Sequence, residues 1–236
     1  MQYLDPMFTP DHPDIDIVFV RGLNPKGIET HARQTWTDDG GLFWPDILLR
    51  QDLPSARVLL FAYNSSILSN ASSAHVASHA RTLCDRLMNR RRQAQEIHRP
   101  LLFVAHSLGG LLVKQALVEA RIDPLYKCLK ASTCGLVFFA TPSRGGEGAG
   151  EAKAAADICS AFTGQPRNKL LESLKSKSLI TELSSDQFRP QLDDFEVLSL
   201  IERRKMPVKI HAFIPGKNMV SVITLSIGLV LTIRSL

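Results

Sequence analysis

Short apolar runs rich in β-branched residues alternate along the chain with longer stretches of helical periodicity. Five of the runs are almost continuously apolar, which is typical of strands that are covered on both faces of a parallel sheet. We therefore predict strands at residues 14–20, 56–63, 100–105, 134–140 and 195–201.

Helical spacing fills the intervals between these strands. Within residues 72–97, Val76, Ala80, Leu83 and Leu87 lie on one face of a predicted helix. Strands that alternate with helices predict an α/β fold with a mostly parallel sheet and helices on both faces. The long connection between the fourth and fifth strands has room for a cap over the carboxyl edge of the sheet. Further helices are predicted at 108–120, 153–161 and 169–183.

Composition narrows the class of protein. With 236 residues, 44 % hydrophobic and 22 % charged, the chain is neither largely disordered nor a polytopic membrane protein. The net charge of +5 is too small to require a nucleic-acid partner. We interpret the arginine tract 90–92 as a solvated helix end, against a nucleic-acid or lipid-headgroup patch.

The cysteines and the N-terminal sequence both predict a reducing, intracellular compartment. The four cysteines form no CxxC pair and no zinc spacing, so we expect reduced thiols and no metal or cofactor. No charged and then apolar signal opens the chain, and we therefore expect an intracellular, cytoplasmic protein.

The segment 101–117 carries the candidate chemistry. A predicted strand runs into the sequence HSLGG and then into a predicted helix, which matches a G-x-S-x-G nucleophile elbow with Ala105 in place of the first glycine. In such a turn the serine has strained backbone angles, and small neighbours let the helix approach the strand closely. Ser107 is therefore the candidate nucleophile, and the helix N-terminus behind it favours an oxyanion.

A loop after the first predicted strand is the second candidate feature. Gly22 begins the sequence GLNP, and in hydrolases of this architecture a backbone N–H from this loop completes the oxyanion hole. The N–H of the residue after the nucleophile is its partner. Leu23 and Leu108 are therefore the candidate oxyanion donors; read alone, the loop is only a turn.

Five segments together resemble a known family: IDIVFVRGLNPKG, TWTDDGGLFWPDILL, ARVLLFAYNSS, PLLFVAHSLGGLLVKQAL and GLVFFATPSRGG. The chain resembles the serine active site-containing, serine esterase and lipase family. Its likeness is strongest to the fungal α/β-hydrolase domain that precedes nucleotide-binding and repeat modules in multidomain proteins. The resemblance is dense over residues 14–146, weak near 195–202, and stops near Asn218.

This resemblance implies an α/β-hydrolase fold, a Ser–acid–His triad and hydrolysis of carboxylic or lipid esters. It also implies an association with mitochondrial or endoplasmic-reticulum membranes. Two positions depart from the family pattern. Arg21 stands where the family has histidine before Gly22, and Ser143 stands where it has histidine after Thr-Pro.

The acid and base of a triad are less well marked. In this fold they follow the nucleophile in the order acid, then histidine. Glu202 ends the fifth predicted strand and is the candidate acid, or else a surface residue at a strand end. His211 is the one histidine after Ser107. If the segment VKIHAFI at residues 208–214 is a strand, His211 lies inside it rather than on the loop beyond, which is poor geometry for a general base.

Two functions follow from these residues. The first is a serine hydrolase with Ser107 as nucleophile, Glu202 and His211 as its partners, and an ester or lipid small molecule as substrate. The second is a catalytically degenerate α/β-hydrolase domain that serves as a binding or signalling module or as a membrane-attached scaffold. No Walker-type phosphate loop occurs in the chain, which argues against nucleotide hydrolysis.

The last residues differ from the rest. We predict an α/β-hydrolase domain over residues 1–218, incomplete at its C-terminal end, and a hydrophobic tail over 219–236. The tail contains 15 residues without a charge, from Met219 to Ile233, whereas a membrane-spanning helix needs roughly 20. We interpret it as a gene-model artefact such as a retained intron, or as a segment that contacts a membrane or replaces a missing strand.

Overall fold

One seven-stranded sheet organises the protein, with strands in the order β1-β3-β2-β4-β5-β6-β7. The computed structural model describes residues 3–22, 30–38, 40–63, 73–141 and 187–200, and the backbone of 232–233. The strands are β1 Tyr3–Phe8, β2 Ile15–Val20, β3 Ala56–Ala62, β4 Leu101–His106, β5 Thr133–Phe139, β6 Glu196–Leu200 and β7 Thr232–Ile233. The helices are α1 His31–Gln34, α2 Trp44–Asp52, α3 Ser73–Arg90, α4 Ala94–Ile97, α5 Gly109–Ile122 and α6 Lys127–Ser132, with 3₁₀ turns at Pro124–Tyr126 and Arg189–Asp194.

The five strands predicted from the sequence form the parallel centre of this sheet. β2 pairs in parallel with β3 and β4, β4 pairs with β5, and β5 pairs with β6. Both faces are covered: Val18 and Phe19, neighbours on β2, are buried in two different hydrophobic clusters. The predicted α/β fold class is confirmed, and the physical reason is burial on both faces.

Two antiparallel strands flank this centre. β1 pairs with β3 and contains Pro6, which lacks a backbone N–H and is tolerated at a sheet edge. The proline and the register shift beside it interrupt the period-2 pattern, so no strand was predicted there. β7 pairs with β6 through Leu198–Ile233 and Ser199–Thr232. The remainder of the predicted tail lies outside the described residues, so its interpretations stay predictions.

The long helix predicted at 72–97 is two helices. α3 ends at Arg90 and α4 begins at Ala94, because the intervening Arg91 turns into the protein interior. α5 follows β4 directly, as predicted. The predicted helices 153–161 and 169–183, and the predicted cap, lie outside the described residues. Within the described residues, no helix combines the length and the apolar character needed to cross a membrane.

A set of aromatic rings covers one face of the sheet. Phe19 lies edge-on to Trp36 at 4.9 Å between ring centroids and to Trp44 at 5.3 Å. Trp36 also meets the ring of His106 at 6.2 Å. Trp36 and Phe43 are each 3 % exposed, so they belong to the hydrophobic core.

Burial, reinforced by the nearby His31, lowers the pKa of His106 to about 4, and its imidazole is therefore neutral near neutral pH.

Asp16 is the centre of a buried ion network at the opposite end of the strands. This carboxylate is fully buried on β2. Arg57 on β3 donates to it twice, from Nε at 2.8 Å and Nη2 at 2.9 Å. Arg91 donates from Nη1 at 2.5 Å, and Arg99 from Nη1 at 3.2 Å. The interpretation of the whole tract 90–92 as a solvated helix end is wrong for Arg91, which is 1 % exposed.

Glu96 completes this network. Its carboxylate accepts from Arg57 at 2.6 Å and from Arg99 at 3.4 Å. Two carboxylates therefore face three guanidinium groups, and the network ties β2, β3, the end of α3 and the start of β4 together. Such a buried cluster costs desolvation free energy when it forms, but removal of one member leaves uncompensated charge and is strongly destabilising.

Replacement of Asp16 tests the network. We expect Asp16→Asn to lower the free energy of unfolding by about 3–5 kcal/mol, because three largely buried arginines lose the negative charge that they share. Urea denaturation followed by circular dichroism measures this change. Asp11→Asn removes the same charge from an exposed position and should change stability by less than about 0.5 kcal/mol. Equal effects of the two substitutions would contradict the role of the network.

The lowered pKa of His106 predicts acid sensitivity. The unfolded chain takes up this proton near the ordinary pKa of 6.5, whereas the folded protein takes it up near 4. The free energy of unfolding should therefore fall as the pH drops from 6.5 to 4, by roughly 2–3 kcal/mol from this group. His106→Phe should remove that part of the slope in urea denaturation. His98→Gln, at an exposed position, should keep the wild-type slope; equal slopes in all three proteins would refute the assignment.

Candidate active site

Ser107 occupies a sharp turn between β4 and α5. Its φ is +53°, in the left-handed region that non-glycine residues rarely adopt at a cost of about 1–3 kcal/mol. Two hydrogen bonds hold the turn: the Ser107 N–H donates to the carbonyl of Phe139 at 2.8 Å, and the Ser107 carbonyl accepts from the Gly110 N–H at 3.1 Å. The strand–turn–helix context that the sequence motif requires is therefore present.

Two glycines let the helix and the neighbouring strands approach this turn. A Cβ on Gly109 would overlap the carbonyl oxygen of Arg21 and lie 2.6 Å from that of Val20. A Cβ on Gly110 would lie 2.8 Å from the Cβ of Thr141. The first turn of α5 thus lies directly on the backbone at the end of β2, which explains why the motif ends in glycine at Gly109.

Gly22 lies against the candidate nucleophile. A Cβ placed on Gly22 would meet the Ser107 Cβ at 3.0 Å and the Ser107 Oγ at 3.4 Å. The loop predicted to complete the oxyanion hole therefore begins beside the serine. Leu108 is the N-cap of α5, where the first backbone N–H groups have no acceptor inside the helix. Leu23 lies outside the described residues.

The hydroxyl of Ser107 is buried. The residue is 2 % exposed, and its Oγ has no hydrogen-bond partner in the described part of the chain. A buried hydroxyl without a partner costs free energy, which is the usual mark of a functional constraint. The positive end of the α5 dipole lies directly behind it and favours negative charge there.

Arg21, where the resemblance has histidine, directs its guanidinium group toward Tyr63. Its guanidinium donates to the carbonyl of Gly22 at 3.1 Å and to that of Tyr63, and it lies over the Tyr63 ring at 5.0 Å. The Tyr63 hydroxyl donates back to the Arg21 carbonyl at 3.2 Å. Tyr63 follows β3, which borders β2 on the side away from β4. The Arg21 side chain therefore connects the end of β2 to the end of β3. Burial lowers the pKa of Arg21.

The predicted acid and base are not among the described residues. Glu202, His211 and Ser143 all lie outside them, and β6 ends at Leu200. The carbonyl of Leu200 accepts from the Ala140 N–H at 2.9 Å, one residue beyond the carbonyl that holds Ser107. β6 therefore ends at the same sheet edge as the candidate nucleophile Ser107.

Ala140 and Thr141 are site residues that the sequence analysis missed. Ala140 has φ +47°, a second strained backbone beside the elbow. Thr141 packs its side chain on Gly110 at the start of α5. The sequence signal for this contact is the GG dipeptide at 109–110 together with the later Ala-Thr-Pro motif at 140–142. The two segments are far apart in the chain, and only the tertiary structure shows that Thr141 contacts Gly110.

Cysteines and acidic residues are, besides Ser107, candidate nucleophiles or metal ligands in the described part of the chain. Burial raises the pKa of the Cys84 thiol to about 12, so it stays protonated. Cys84, Cys128 and Cys134 are free thiols among the described residues, and Cys159 lies outside them. Among the described residues, no three His, Cys, Asp or Glu side chains are grouped to hold a metal ion.

Sequence relatives come from vertebrates. The chain is 32 % identical to Protein SERAC1 of Danio rerio over 144 residues, which cover 55 % of this chain and 22 % of that protein. It is 27 % identical to Protein SERAC1 of Homo sapiens over 157 residues, or 60 % of this chain and 24 % of that protein. The matched region therefore spans about a quarter of these relatives, and neither is fungal. No protein-family model matches the chain.

A solved structure supports the fold. Bacillus licheniformis lipase BlEst2 matches with a TM-score of 0.50 over 84 % of this chain and 70 % of that chain, at 17 % identity. At this identity the match bears on the fold alone. Together with the mostly parallel sheet and the serine turn between β4 and α5, it shows that the chain has the α/β-hydrolase fold.

Proposed function

We propose that the protein is a serine hydrolase that acts on carboxylic esters, lipid esters among them, with Ser107 as nucleophile. The observation that carries the proposal is the positive φ of Ser107 at the junction of β4 and α5. Strain of this kind persists where the surroundings hold it in place for a function. A lipase with the same fold supports the class of reaction.

The proposed reaction takes the steps that a Ser–acid–His triad carries out. Ser107 Oγ attacks the acyl carbonyl carbon while a histidine takes up the hydroxyl proton. The N–H groups of Leu108 and Leu23 stabilise the oxyanion of the tetrahedral intermediate. Collapse expels the alcohol, which receives the proton from the histidine, and leaves an acyl-serine. Water, deprotonated by the same histidine, then attacks the acyl carbon; collapse releases the acid and regenerates the serine.

We assign His211 as that base and Glu202 as the acid that orients it, from their order in the sequence. The substrate is a small ester or lipid, and we propose no nucleic-acid partner. The proposed location is the cytoplasm, with peripheral or tail-mediated contact to a mitochondrial or endoplasmic-reticulum membrane as the alternative. The fungal multidomain setting remains part of the resemblance alone.

A fluorophosphonate probe tests Ser107. We expect covalent labelling of the wild-type protein at Ser107, since the probe reports an activated serine hydroxyl. Mass spectrometry of the labelled peptide identifies the site. Ser107→Ala should abolish labelling, while Ser78→Ala, at an exposed serine on α3, should leave it unchanged. A folded wild-type protein without labelling would overturn the proposal and favour the degenerate binding or signalling module.

The same assay tests the base. We expect His211→Gln to slow labelling at Ser107 by about three to four powers of ten, because an unassisted serine hydroxyl is a poor nucleophile at neutral pH. Rates of labelling measured over time give this ratio. His98→Gln changes an exposed histidine that precedes β4, at the opposite end of that strand from Ser107, and should keep the wild-type rate. Unchanged labelling in His211→Gln would remove His211 from the triad but leave Ser107 in place.

A further inference from the structure

A cavity of about 390 Å³ lies between the edge strand β1 and the C-terminal end of α3. It is separate from the serine turn, because none of its lining residues belongs to that turn. Three arginines line it, Arg86, Arg90 and Arg92, together with the amides of Asn89 and Gln93. Three of the nine lining residues are therefore positively charged, and all three come from the segment 86–92.

The buried ion network holds these arginines in position. Arg91, between two of them, donates to Asp16, to the carbonyl of Ile97 at 3.2 Å and to the Ser132 hydroxyl at 3.0 Å. These contacts fix the backbone at the end of α3, so Arg90 and Arg92 are displayed by a rigid segment. Arg86 precedes Arg90 by one helical turn and therefore lies on the same helix face.

The three cations lack counter-charges. None of Arg86, Arg90 and Arg92 has a carboxylate oxygen within 4.0 Å in the described part of the chain; the ion pairs there join other residues. Arg90 donates to the carbonyl of Leu4 at 3.0 Å, and Arg92 donates to the Asn89 amide oxygen at 3.1 Å. Arg86 and Arg90 repel each other at their i, i+4 spacing.

Acidic residues in the lining do not cancel this charge. Glu96 is already held by Arg57 at 2.6 Å and Arg99 at 3.4 Å, both outside the lining. Asp5 contributes one negative charge against the three arginines. The cavity therefore has a surplus of guanidinium groups that form no ion pair among the described residues.

We propose that this cavity binds a phosphate group. Guanidinium forks donate paired hydrogen bonds to phosphate oxygens, and three of them with two amides match a tetrahedral dianion better than a planar, singly charged carboxylate. The volume exceeds that of a bare phosphate, so the group belongs to a larger molecule. The same chemistry is found in soluble phosphate monoesters and in the headgroup of a lipid.

Binding to two probes tests the site and its source. Isothermal titration calorimetry with inorganic phosphate reports the soluble form. Sedimentation with phosphatidylcholine vesicles, with and without phosphatidic acid, reports the lipid form. We expect saturable binding in at least one assay, weakened roughly tenfold or more by Arg86→Gln and further by Arg86→Gln combined with Arg92→Gln.

A matched control separates a built site from general charge. Arg121→Gln removes one exposed positive charge from the end of α5, outside the cavity, and should leave binding unchanged. Arg86 makes no hydrogen bond or ion pair among the described contacts, so Arg86→Gln should unfold at the wild-type urea concentration. Phosphate binding without vesicle binding identifies a soluble ligand, and vesicle binding that requires phosphatidic acid identifies a lipid. The absence of saturable binding in both assays, or equal weakening by Arg121→Gln, would overturn the proposal.

Discussion

The close contact between α5 and the end of β2 is the constraint on which the catalytic edge depends. At Gly109 the helix touches the carbonyl groups of Val20 and Arg21, and a side chain there would separate them. This approach lets the chain reverse within one residue, so that Ser107 takes a left-handed φ and lies beside Gly22. The absence of a Cβ at Gly109 thus brings together the candidate nucleophile, the N-terminus of α5 and Gly22.

The opposite end of the strands is held by charge instead of by close packing. Asp16 accepts from three arginines that belong to β3, the end of α3 and the start of β4. Each arginine donates to the same carboxylate. If one of these elements shifted relative to the others, a buried charge would lose its partner, which is strongly destabilising. The network therefore keeps β2 in register with β3 and β4. This register also sets the position of Val20 to Gly22 at the other end of β2.

The central fold was predictable because its signal is local. Strands covered on both faces must be apolar along their length, and five such runs correspond to β2–β6. The sequence did not predict β1, because Pro6 interrupts its alternating pattern. An edge strand tolerates such a proline. The break between α3 and α4 escaped for another reason. Arg91 resembles its exposed neighbours in sequence, and only its distant partners show that it is buried.

By itself, the sequence determined the class of fold and the place of Ser107, because both depend on spacing within a few residues. The tertiary structure decided where Arg21 points and why Thr141 matters. Arg21 turns toward Tyr63, 42 residues away, and Thr141, which follows β5, packs on Gly110 in α5. It also decided that Asp16 would gather arginines as many as 83 residues distant. Such contacts follow from the order of strands in the sheet, and strand order is a property of the whole chain rather than of any segment.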